Sequence, residues 1–179
     1  PAGYRPNIVA RYPGRNSART VWIMTHLDVV PPGEISLWQG DPFKPWVSSG
    51  RIYGRGVEDN QQDLVASIFA VKAFHDLGLA PAANVGLAIV ADEETGSSKG
   101  IPHVLNNSDA FRKGDLIIVP DAGGPDGTEI EVAEKSVLWL KIKIQGRQTH
   151  GSTPERGINA LKAGAYLAVK LDRLYAAFP

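Results

Sequence analysis

Seven consecutive residues, Val85-Gly-Leu-Ala-Ile-Val-Ala91, carry no polar side chain, and the next three are Asp92, Glu93 and Glu94. A run of that length without alternation reads as a strand buried on both faces, which requires a sheet with further layers packed on it. The acidic cluster then stands at a strand end, a rigid place to hold polar groups, beside a loop that meets solvent.

Strand-like and helix-like stretches alternate up to Asp121, the pattern of an α/β sandwich built on a mainly parallel sheet. Strands are expected at Ile8 to Tyr12 and Thr20 to Thr25, and a further buried strand at Leu116 to Val119, ending at Pro120-Asp121. Helical spacing of Leu64, Val65, Ile68, Phe69, Val71, Ala73 and Phe74 predicts a helix over Asn60 to Leu77, stopped by Gly78. Ile101 to Leu105 reads as a short helix. Pro31 to Gly56 is long and irregular, rich in Pro, Gly and Trp; such loops are functional or supported by their own packing. After Gly127 the texture changes. Glu129 to Val132 and Val137 to Ile144 alternate apolar and polar residues, the mark of a half-exposed antiparallel hairpin, and Glu155 to Leu174 reads as a helix with Pro154 near its start. A second domain is expected to begin near Glu134 to Val137, giving domains 1–134 and 135–179.

Composition narrows the function. The 19 basic and 19 acidic residues balance, with no basic stripe, which argues against a nucleic-acid partner. The chain has no cysteine, so His, Asp and Glu are the only strong metal ligands available. No apolar run approaches the length of a membrane span and the first residues do not resemble a signal peptide, so a soluble cytoplasmic protein is expected.

Those ligand types gather at strand ends. In His26-Leu-Asp28, strand alternation sets both side chains on one face, with Asp28 placed to hold the second imidazole nitrogen, as carboxylates behind zinc-bound histidines do; a plain structural hydrogen bond is the simpler alternative. Asp59 follows a Gly-rich turn, where it can cap the next helix, face a metal, or both. Gly54-Arg-Gly56 lacks the third glycine of a dinucleotide loop. Glu93 and Glu94 point in different directions if the strand continues through them, one toward a metal and the other toward a substrate; the alternative is a solvated acidic loop. Trp22, Trp38, Trp46 and Trp139 are expected to pack or anchor loops. A serine hydrolase is a rival reading, because Gly96-Ser-Ser98-Lys-Gly100 fits the nucleophile-elbow pattern and is followed by Asp121 and His150. Asp92 to Thr95 separate it from the strand end, however, and Ser98 is more simply the N-cap of the next helix.

Five runs, Thr25-His-Leu-Asp-Val-Val-Pro31, Tyr53-Gly-Arg-Gly-Val-Glu-Asp59, Ala91-Asp-Glu-Glu-Thr-Gly96, Asp115-Leu-Ile-Ile-Val-Pro-Asp121 and Thr149-His-Gly-Ser-Thr-Pro154, together resemble the M20 metallopeptidases. These include deacylases, dipeptidases and carboxypeptidases. The resemblance implies a three-layer α/β/α zinc-peptidase catalytic domain on a mostly parallel mixed sheet, followed by the start of a smaller α+β lid domain. It implies two zinc ions, with cobalt or manganese as alternatives: His26 and Asp121 on the first, with Asp28 behind His26, Asp59 bridging, and Glu94 on the second. Glu93 would be the general base, and His150, on the lid, would reach a substrate. Asp rather than Glu at 121 points toward peptidases. The implied substrate is a dipeptide or N-acyl amino acid, and the implied assembly a homodimer through the lid. Asn60-Gln61-Gln62 replaces the lysine-containing run of many members and reads as a subfamily mark. The family's further zinc-binding histidine has no counterpart before Pro179, so the chain is expected to be a fragment of low or no activity, and a metal-free, self-associating scaffold is the alternative.

Overall fold

The computed structural model describes residues 4–124, 126–134 and 137–176. They form two compact units, the first ending at Val132 and the second beginning at Ala133.

The first unit is organised by a four-stranded sheet in the order β1-β5-β2-β6, with β1 at Ile8–Tyr12, β2 at Asn16–His26, β5 at Ala83–Val90 and β6 at Leu116–Ile118. β1 runs antiparallel to β5, whereas β2 is parallel to both β5 and β6, a mixed and mostly parallel α/β sheet. The apolar run lies on β5, flanked by β1 and β2, and Leu87 to Val90 are buried there. His26 pairs with Val90 across the β2–β5 ladder, and Ile23 with Ile118 across β2–β6. The carboxyl ends of the three parallel strands therefore open on one edge. In open α/β sheets that edge is where ligands bind.

Trp22 is the hub of the core. It is fully buried, its ring centroid 4.6 Å from that of Phe111, with the Arg11 guanidinium 5.3 Å away. Its neighbour across the ladder is Gly86, where a Cβ would stand 2.2 Å from the indole, so glycine leaves the space the ring fills. The indole Nε1 donates to Asp115 Oδ2 at 3.0 Å, and Asp115 also accepts from the amides of Thr20 and Arg112, each at 2.9 Å. Burial alone would raise the Asp115 carboxyl, but these donors and Arg11 outweigh it and hold its pKa below the ordinary value. Asp115 thus contributes stability that is complete above the unfolded-state pKa of about 3.9 and is lost as pH falls through the lower folded value. Urea unfolding of Asp115→Asn as a function of pH should show a flatter acid limb than wild type; parallel limbs would refute the linkage.

α1, Gln61–Asp76, lies against β2 and β5 with Leu64 and Ser67 buried, and Gly78 ends it at φ +63°. The 31–56 stretch is less irregular than its sequence suggests. It holds a 3-10 turn at Ile35–Leu37 and a hairpin of β3, Trp46–Ser48, with β4, Arg51–Tyr53. Ser49 and Gly50 both take positive φ, as the favoured two-residue hairpin turn requires. Trp46 stacks on Tyr53 at 5.6 Å, and Trp38 meets Trp46 edge-on at 6.5 Å. The loop is held by its own aromatics, and it carries the chain to Asp59.

Several expectations are corrected. β6 is not buried: Leu116, Ile117 and Ile118 are each about half exposed, because among the described residues this edge strand has β2 as its one partner. The alternating segments 129–132 and 137–144 form no strand, and most of their apolar side chains are exposed. Alternation selects a face but supplies no ladder partner, and an isolated two-stranded hairpin is marginal in water. Trp139, expected to pack, is 89% exposed.

In the second unit, Arg147 and Ile158 exchange backbone hydrogen bonds of 3.0 and 2.9 Å. The helix expected from Glu155 begins later. Pro154 opens only a 3-10 turn, Pro154–Arg156; Gly157 is extended, and α3 runs Ala160–Tyr175 from an Asn159 cap whose side chain accepts from Lys162 N–H at 3.0 Å. Asn is a strong N-cap, and it overrides proline as the helix start. No described residue of α3 is buried.

Candidate metal centre

His26 is the last residue of β2, and its ring is 3% exposed. Nδ1 lies 2.9 Å from the main-chain carbonyl of Asp28, whereas the Asp28 carboxylate is 3.7 Å away. The strand ends at His26, so alternation no longer governs Asp28, and the carbonyl takes the place expected of the side chain. The Asp28 carboxylate turns instead to the opposite strand end, accepting from Glu93 N–H at 3.0 Å and Glu94 N–H at 3.2 Å. It ties the β2 end to the β5 end.

With Nδ1 held against a carbonyl, and so protonated there, Nε2 of neutral His26 is the free lone pair. It is buried and, among the described residues, has no hydrogen-bond partner, although carboxylates surround it: Asp59 Oδ1 at 3.0 Å, Asp121 Oδ1 at 3.5 Å and Glu93 Oε2 at 4.0 Å. The 3.0 Å approach of Asp59 lacks hydrogen-bond directionality. One ligand atom from each of His26, Asp59 and Asp121 falls within 4.8 Å of the others. An unpaired buried nitrogen facing carboxylates fits a divalent cation, which satisfies the lone pair and relieves the repulsion among the acids.

The charges act as this arrangement dictates. Burial pushes His26 toward its neutral form, but the Asp28 carbonyl and the charges of Asp121, Glu93 and Asp59 outweigh it, so in the metal-free chain its pKa is raised. Glu93 is also raised, by burial first and then by Asp121, Glu94 and Asp28, against the opposing pull of His26.

The loop bearing the two glutamates is shaped by Asp92. This buried residue adopts φ +68°, and a 3-10 turn at Glu93–Thr95 replaces the strand continuation. Its carboxylate accepts from Thr95 Oγ1 at 2.6 Å, Ser98 Oγ at 3.1 Å, Lys99 N–H at 3.1 Å and Arg5 Nε at 3.3 Å. The Thr95 hydroxyl above all holds its pKa at about 2. Glu94 stands apart from the three-residue cluster, its Oε1 accepting from Val30 N–H at 3.2 Å. Ser98 therefore donates to Asp92 and to no histidine, and the cap of α2, Ile101–Asn107, is Gly100 rather than Ser98. The cap position of α1 is Asn60 rather than Asp59, and the Asp59–Asn60 peptide is cis. His150 belongs to the second unit, with Nδ1 2.8 Å from Ser152 Oγ.

Two residues to which the sequence assigns no role shape the site. Asp92 had a signal, a third acid after an apolar strand. Asn60 registered only as a departure from a familiar run, yet it is 1% exposed and contacts both His26 and Asp121.

A sequence model described as Peptidase family M20/M25/M40 matches residues 22–177. An uncharacterized metallohydrolase of Methanococcus maripaludis is 48% identical over 175 residues, which are 96% of this chain and 42% of that protein. Succinyl-diaminopimelate desuccinylase of Paracoccus denitrificans is 34% identical over 161 residues, 88% of this chain and 42% of its own length. Among solved structures, human carnosine dipeptidase 1 superposes with a TM-score of 0.57 at 34% identity, over 65% of this chain and 25% of that one. The chain thus spans about two-fifths of the length of these curated relatives.

Proposed function

The chain belongs to peptidase family M20/M25/M40, a family of metallohydrolases, and from that premise we propose that the whole protein hydrolyses an amide or peptide bond in a small substrate, a dipeptide or an N-acyl amino acid. The observation that carries this reading is the orphaned Nε2 of His26 facing Asp59 and Asp121. In this reading His26, Asp59 and Asp121 would hold one zinc ion, and Glu94, with Asp59 shared, would hold a second; cobalt or manganese suits the same donors. When bound, the metal supplies Lewis acidity at the scissile carbonyl and a water of lowered pKa.

The remaining roles fall to this chain's own side chains. Glu93 takes a proton from the attacking water and returns it to the leaving amine. Asp28 holds the amides of Glu93 and Glu94 and so fixes where both side chains start. His150 donates a hydrogen bond to the substrate. The reading extends to residues 1–134 as catalytic domain and 135–179 as the start of a lid, to a homodimer formed through that lid, and to the cytoplasm. Among the described residues no helix is long and apolar enough to cross a membrane.

The deciding experiment is metal content and zinc affinity of the wild type, His26→Ala and Asp59→Ala. At least one equivalent of zinc is expected in wild type, and each variant should lose it. A wild type that binds no zinc, or variants that bind as well as wild type, would overturn the reading.

A further inference from the structure

The side-chain amide of Asn60 joins three elements. Its Oδ1 accepts from His26 N–H at 3.4 Å, and its Nδ2 donates to the Pro120 carbonyl at 3.1 Å and to Asp121 Oδ1 at 2.5 Å. That Asp121 oxygen is the one that stands 3.5 Å from His26 Nε2. A primary amide has two N–H donors and a carbonyl acceptor, and here all of them are engaged. Asn60 occupies the cap position of α1 but makes no side-chain capping bond, so its polar atoms serve the strand ends and not the helix. Among the described residues, no other side chain donates to Asp121.

We infer that Asn60 is a positioning residue for the metal centre: its Nδ2 fixes the Asp121 carboxylate in the orientation that shares a cation with His26, while its Oδ1 pins the end of β2. This rests on the metal reading above. An unheld carboxylate on the short stretch beyond β6 rotates freely, and a partner behind a metal ligand typically accounts for about 10–100-fold in affinity.

Asn60→Asp tests this with little change of volume. It retains the acceptor toward His26 N–H, removes both donors and sets a second carboxylate against Asp121. In the whole protein, zinc affinity is expected to fall by about 10–100-fold, and the visible spectrum of the cobalt-loaded protein should change. A cycle with Asp121→Ala separates positioning from general support of the fold: once Asp121 is gone, Asn60→Asp should cost no further affinity. Wild-type affinity in Asn60→Asp, or additive losses in the cycle, overturns the inference while leaving the metal reading intact. Asn60→Ala, which adds no charge, carries the same cycle if Asn60→Asp does not fold, and failure of both to fold also overturns it. A wild type that binds no zinc sinks both ideas.

Discussion

Glu93→Gln is expected to lower kcat by about 10²–10⁴-fold with zinc content unchanged, the magnitude by which a positioned general base accelerates proton transfer. The geometry sets this residue apart from the three-residue cluster of His26, Asp59 and Asp121. Its Oε2 is 4.0 Å from His26 Nε2, farther than Asp59 or Asp121, and its side chain is 45% exposed, so it faces solvent. Glutamine preserves the size and keeps the main-chain N–H that Asp28 holds, so the 3-10 turn should survive; what is lost is the ability to take a proton. Steady-state kinetics of the whole protein on a panel of dipeptides and N-acyl amino acids, with metal analysis of the same samples, decides the matter. A variant with near-normal kcat removes Glu93 from the base role. One that loses its metal along with its activity makes Glu93 a ligand instead.

The elements legible in the sequence were those whose pattern is local. β1, α1 and β5 announce themselves by apolar periodicity and by a terminator such as Gly78, and the structure has them within a few residues of expectation. What was not legible depends on partners far along the chain. Leu116 to Val119 reads as a buried strand because composition records apolarity and not position in the sheet, and β6 lies at the edge. The 129–144 region carries the alternation of a hairpin without forming one among the described residues.

The site divides in the same way. His26, Asp59 and Asp121 stand out in the sequence because each closes a strand or a glycine turn; the parallel register of β2 with β6 brings the ends bearing His26 and Asp121 to one edge, and the turn before α1 adds Asp59 to the cluster. Asp28 was assigned to the imidazole by strand alternation, but the strand stops at His26, and its carboxylate serves the glutamate loop. Asn60 reaches Pro120 and Asp121 across some sixty positions, and a contact of that span leaves no periodic trace in a single sequence.

Trp22→Ala is expected to destabilise the first unit by about 3–5 kcal/mol, the usual cost of removing a buried large aromatic. Trp22 has no exposed surface, and its loss opens a cavity between β5 and Phe111, while Asp115 keeps its bonds to Thr20 and Arg112 but loses the indole donor. The sharper form of the prediction couples Trp22 to Gly86. In the wild type, Gly86→Ala drives a methyl to 2.2 Å from the indole and should itself be strongly destabilising, since an overpacked core commonly loses about 1–3 kcal/mol. In the Trp22→Ala background the same methyl enters the vacated space, so Gly86→Ala should there be neutral or stabilising. Urea unfolding of the two single variants and the double variant measures this change of sign. Equal effects of Gly86→Ala in both backgrounds would mean that the glycine answers to something other than the tryptophan ring.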